Sequence, residues 1–104
     1  MKKFEITREL FNAINFSASL NLDGDGNYVA VEIKRRGEID GVEQLARYLE
    51  LLQPDSNLKG LRGIFVAQVI KPQAKKMAEQ RGIGWAEVDY EDLRGRRPEE
   101  LRLF

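Results

Sequence analysis

The sequence contains no cysteine and no histidine. Without cysteine there is no disulfide, no zinc–thiolate centre and no thiol nucleophile. Without histidine the usual general base, a serine–histidine triad and imidazole-ligated metals are excluded. No apolar run approaches the roughly 20 residues that a bilayer-crossing helix needs. The start, Met1-Lys2-Lys3-Phe4-Glu5, has no apolar stretch behind it of the kind that marks a signal peptide. The expected location is cytoplasmic, with no membrane partner. Hydrolytic chemistry in such a chain must use carboxylates, lysine and a hard, oxygen-seeking metal such as Mg²⁺.

No charge of one sign dominates. Lys+Arg and Asp+Glu are both 17, giving a net charge of zero. A zero sum does not exclude nucleic acid, because the distribution of charge matters more than its total. The bases cluster at Lys34-Arg35-Arg36, at Lys71 with Lys75-Lys76, and at Arg94 with Arg96-Arg97. Solvated surface charge is the plain reading of any one cluster. With 104 residues, 42% of them hydrophobic and 33% charged, the chain suits one globular domain. The expected organisation is a single domain over 1–94 and an exposed tail over 95–104.

Periodicity assigns the elements. Ile6, Leu10, Phe11 and Ile14 recur at helical spacing, so 5–14 is expected to be a helix. Residues 16–22 read as a strand. Asp23-Gly24-Asp25-Gly26-Asn27 is a turn signal, and the β-branched alternation of 28–34 completes a β-hairpin. Ile39, Val42, Leu45, Ala46, Leu49 and Leu52 form one apolar stripe on a helix over 39–52. A buried strand is expected within 62–70, a helix from Pro72 to about Gln80, and a last strand over 84–89. Tyr90 to Leu93 can form one helical turn. The order α-β-β-α-β-α-β, with parallel crossovers after the hairpin, predicts an α/β fold whose mixed central sheet is flanked by helices on both faces.

The informative segment is Val31-Glu32-Ile33-Lys34. Alternate residues of a strand share a face, so Glu32 and Lys34 project together with Ala30 and Tyr28. A carboxylate beside an amine can serve phosphodiester hydrolysis: Glu32 holding Mg²⁺, Lys34 orienting the attacking water or stabilising the transition state. A surface ion pair at a strand end explains Glu-x-Lys equally well. Gln44 and Tyr48, at i and i+4, share a helix face offset from the apolar stripe and can reach a DNA phosphate or a metal-bound water. Trp85 reads as a core or sheet-face residue rather than a base-stacking platform.

The run from Val29 to Glu50 resembles the nuclease core of the NucS/EndoMS mismatch-specific endonucleases. So do Arg62-Gly63-Ile64-Phe65-Val66-Ala67-Gln68, Ile70-Lys71-Pro72-Gln73-Ala74, Arg81-Gly82-Ile83 and Asp89-Tyr90, and the end, Arg102-Leu103-Phe104, is similar to the actinobacterial branch. The resemblance covers about residues 23–104. It implies the restriction-endonuclease-like fold known as PD-(D/E)XK, with an αββαβαβ core. It also implies Mg²⁺- or Mn²⁺-dependent cleavage of mismatched double-stranded DNA, with Glu32 as metal ligand and Lys34 as catalytic lysine. Gln44 and Tyr48 match the family's Gln-x-x-x-Tyr helix motif. The backbone carbonyl of Ile33 is the candidate second metal ligand, and Arg35, Arg36 and Lys71 are candidate DNA phosphate contacts. Leu101, Leu103 and Phe104 resemble the tail that engages the sliding clamp, and a homodimer is a further expectation.

Two departures qualify these implications. Family members carry a separate N-terminal DNA-binding and dimerisation domain, which residues 1–16 do not match, and about the first 22 residues are atypical of the family; an isolated or engineered domain is the expectation that follows. The family's metal-binding aspartate lies on the strand before the turn. If the turn centres on Asp25, facing residues have numbers summing to about 50, and Glu32 then faces Ala18. A lone carboxylate holds Mg²⁺ poorly, because the ion dehydrates reluctantly. Glu9, on the expected first helix, is a candidate replacement ligand. Asp23 and Asp25 can bind a cation at the turn, although turn chemistry accounts for them more simply. Three readings therefore stay open: a metal-dependent endonuclease domain weakened or inactivated at Ala18, a catalytically silent DNA- or clamp-binding module, and an engineered or truncated scaffold.

Overall fold

The computed structural model describes residues 18–89. The expected helix over 5–14 with its Glu9, the turn over 90–93 and the tail with Leu101, Leu103 and Phe104 lie outside them. The described elements are β1 (Ala18–Leu22), β2 (Tyr28–Gly37), α1 (Ile39–Leu52), β3 (Arg62–Ile70), α2 (Pro72–Gln80) and β4 (Gly84–Glu87). They build one mixed sheet of order β1-β2-β3-β4, in which β1 runs antiparallel to β2 and the other pairings are parallel. No helix among the described residues is long and apolar enough to cross a membrane.

The hairpin has the expected register. Ala18 pairs with Glu32, Leu20 with Ala30 and Leu22 with Tyr28. Gly26, at φ +82°, supplies the left-handed turn residue. The turn is closed by the Asp23 amide, which donates to the Asn27 carbonyl at 2.9 Å.

β2 runs three residues past the expected end at Lys34. Arg36 and Gly37 continue the ladder against Val69 and Ile70. Backbone pairing with a nine-residue neighbour outweighs the charged side chains, which simply stay in solvent. β4 is shorter than expected and stops at Glu87, although the Val88 amide still donates to the Ala67 carbonyl at 2.9 Å.

Both described helices lie on one face. Two successive crossovers of the same hand, stepping in the same direction from β2 to β3 to β4, place their helices on the same side. Ala30, Phe65 and Ala67 of the sheet cluster there with Val42, Leu45 and Ala46 of α1 and Ala74 and Ala78 of α2. Val29, Val31, Ile33, Ile64 and Val66 alternate to the other face and are also buried. A buried side chain of this size contributes about 1.5–3 kcal/mol.

α1 comes unusually close to the sheet. A Cβ built on Gly41 would lie 2.8 Å from Cε1 of Phe65. The first turn of α1 therefore rests directly on the Phe65 ring, beside the Lys34 stem. Trp85 is a packing residue, as expected: its indole donates to Glu79 at 3.0 Å and Lys75 Nζ sits 4.6 Å from the ring centre.

Candidate functional site

Strand alternation puts Ala18, Glu32 and Lys34 on the helix-bearing face of the sheet. The α1 strip of Gln44, Arg47, Tyr48 and Leu51 leans over them. These seven residues line one open cavity of about 380 Å³. All four residues singled out for chemistry, Glu32, Lys34, Gln44 and Tyr48, are thus brought together. Two further wall residues, Arg47 and Leu51, have no counterpart in the sequence reading. Their signal was available, since positions 44, 47, 48 and 51 follow the i, i+3, i+4, i+7 rule for one helix face. A larger cavity of about 690 Å³ lies elsewhere, lined by Leu49, Leu58, Arg62, Arg81 and Ile83 among others, and lacks an acid–lysine pair.

Glu32 is buried as a whole residue, its side chain 4% exposed; the Asp23 side chain, 1% exposed, is buried too, but inside the hydrogen bonds of its turn. Its Oε2 lies 3.4 Å from Lys34 Nζ, whose side chain is 34% exposed. Burial pushes the Glu32 carboxyl above its usual range. Lys34 opposes that shift and Asp40 adds to it. The arrangement holds a desolvated carboxylate against a single ammonium, with a phenol and an amide on the facing wall.

The other candidates separate. Ile33 buries its side chain on the opposite face, which leaves its backbone carbonyl oxygen as the metal ligand it could offer. Arg35 alternates away from Glu32, whereas Arg36 stays on its face one step beyond Lys34; both are exposed near the end of β2. Lys71 is engaged by Glu38 at 2.7 Å, and this contact holds the Glu38 carboxyl below its usual range. The three expected DNA contacts therefore do not form one uncommitted patch. Asp23 is no cation site either. Its Oδ1 accepts the Asp25 and Asn27 amides at 2.8 and 3.0 Å, and its Oδ2 accepts Arg62 Nη1 at 2.8 Å. The Arg62 bond, with help from the two amides, holds the Asp23 carboxyl down at about 2.

A resident Mg²⁺ or Mn²⁺ does not fit the described part of this cavity. Its only carboxylate is Glu32, the Lys34 ammonium already offsets that charge, and the residue facing Glu32 is an alanine. No group of three or more acidic, histidine or cysteine side chains able to hold a metal occurs among the described residues.

Residues 3–104 match the family described as the endonuclease NucS C-terminal domain. The chain belongs to that family. It is 58% identical over 99 residues to endonuclease NucS of Streptomyces coelicolor, covering 95% of this chain and 44% of that protein. Endonuclease NucS of Corynebacterium efficiens is 57% identical, and that of Mycobacteroides abscessus 54%, each over 99 residues. The chain thus spans less than half the length of these relatives. Among solved structures, apo EndoMS superposes with a TM-score of 0.62 at 37% identity, covering 69% of this chain and 31% of that one. EndoMS in complex with double-stranded DNA gives a TM-score of 0.61 at 35% identity, covering 67% and 29%. The family match starts at residue 3, so the early residues are family sequence too, contrary to the expectation drawn from their poor resemblance. That removes the observation behind the scaffold reading.

Proposed function

We propose that this chain is a DNA-binding nuclease domain of the NucS family, directed to double-stranded DNA, in which metal-dependent phosphodiester cleavage is weak or absent. Family membership and the likeness to an EndoMS–DNA complex support the nucleic-acid partner. The observation that carries the catalytic half is the pairing of Ala18 with Glu32. The resemblance calls for an aspartate on that strand, and a cavity with one offset carboxylate lacks the charge to concentrate a divalent cation. Mismatch preference, pairing of two copies and engagement of a sliding clamp by Leu101, Leu103 and Phe104 belong to the same proposal and rest on the resemblance.

The test is cleavage of matched and mismatched duplexes with Mg²⁺ or Mn²⁺, by the unaltered chain and by Ala18→Asp. The unaltered chain should bind and cut little. The variant should cut faster by about tenfold or more, because a second carboxylate beside Glu32 completes a hard-metal site. Efficient cleavage by the unaltered chain, or no gain in the variant, would overturn the weakened-site reading.

A further inference from the structure

Among the described residues that line the cavity, the charge is of the wrong sign for a cation. Glu32 and Lys34 offset each other, and Arg47 then leaves a surplus of one positive charge. Arg47 is exposed, and none of the ion pairs among the described residues uses it. It stands one turn from Gln44 and Leu51 on the strip of α1 that walls the cavity. Ala18 contributes neither charge nor bulk at the floor. Leu51, 80% exposed, forms an apolar lip beside these polar groups.

We infer that this cavity is a metal-independent seat for a backbone phosphate of DNA, with Arg47 as its charged donor and Gln44 and Lys34 beside it. A guanidinium presents paired N–H donors in a planar fork that matches two phosphate oxygens. The phosphate brings the negative charge that the cavity lacks, and no carboxylate at position 18 repels it. An aspartate there would reverse this balance and make phosphate binding depend on a bridging cation. The inference rests on the DNA-binding reading above. It adds a definite occupant, a donor and independence from divalent ions.

Fluorescence anisotropy with a labelled duplex tests it, titrated in EDTA and in Mg²⁺ over a salt series. The unaltered chain should bind equally in both conditions, within about twofold. Arg47→Gln should weaken binding about five- to tenfold on every duplex sequence alike and lower the salt slope by about one, as loss of one phosphate contact does. Arg81→Gln, in the larger cavity, is the charge-matched control and should change neither. Ala18→Asp should weaken binding in EDTA and recover it with Mg²⁺. Unchanged affinity and slope in Arg47→Gln, a loss no larger than that of Arg81→Gln, or binding that requires Mg²⁺ would overturn the phosphate seat while leaving DNA binding standing. Absence of any duplex binding in either condition would overturn both. Circular dichroism of each variant checks the fold, and Arg47 is exposed, so its replacement disturbs no core.

Discussion

The hairpin turn and the cleft each hold one acid against one base, yet they treat the acid in opposite ways. At the turn, Asp23 accepts three hydrogen bonds, and Arg62 with two amides holds its carboxyl down at about 2. In the cleft, Glu32 has one ammonium at 3.4 Å and a desolvating wall, and burial pushes its carboxyl up. Full hydrogen-bonding favours the ionised form and makes the turn a structural clamp. Burial with incomplete compensation disfavours it and leaves the cleft acid ready to respond to whatever arrives.

Removing the ring beside Glu32 should have the largest effect. Phe65 pairs in register with Glu32 and is fully buried. Phe65→Ala should cost about 3–5 kcal/mol in urea unfolding. It should also bring the Glu32 carboxyl back toward its ordinary value, read by carboxyl NMR titration. If the titration stays raised, the ring is not what desolvates the acid.

Neutralising each acid should then split the two regions by sign. Asp23→Asn should lower the Tm, since it replaces a carboxylate that answers Arg62 and two amides. Glu32→Gln should leave the Tm unchanged or slightly raise it at neutral pH, since it removes a penalised charge. A drop in both variants would erase the contrast.

The pH dependence follows with the same opposition. The Asp23 value is depressed in the folded state, so its stabilisation is present above its unfolded value of 3.8 and is lost as pH falls through about 2. The Glu32 value is raised, so its favourable contribution is complete below 4.5 and is lost as pH rises through the elevated folded value. Unfolding midpoints measured from pH 2 to 8 should show the acid limb flattened in Asp23→Asn and the decline above 4.5 removed in Glu32→Gln.

The smallest effect is expected at the exposed Lys71–Glu38 contact, whose side chains are about half in solvent. Glu38→Gln should leave the Tm within experimental scatter. A clear loss would mean that this pair anchors β3 to α1 more firmly than its exposure suggests.

The legibility of these features tracks their range in sequence. Hairpin register was readable because the turn residues and the alternation of 28–34 are local, and they place Ala18 opposite Glu32 without any tertiary information. α1 was readable to its end residues from its stripe. The Asp23–Arg62 bond joins residues 39 apart, and nothing local announces it. The cleft is half legible: Gln44 and Tyr48 stand as polar residues of a known pattern, whereas Arg47 and Leu51 lack a motif and gain meaning only when α1 is seated over β2. The commitment of Lys71 to Glu38 was hidden for the same reason, since it depends on the β2–α1 corner meeting the end of β3.

How wide the cleft opens depends on a residue with no side chain. Gly41 lets the α1 backbone rest on the Phe65 ring, and Gln44, Arg47, Tyr48 and Leu51 ride on that same rigid rod. Any larger residue at 41 would act as a shim, tilting the rod outward and carrying four wall residues away from Glu32 together. The reach from helix to acid is therefore set at the foot of α1, by a position packed against the Phe65 ring and the Lys34 stem rather than by the four wall residues themselves.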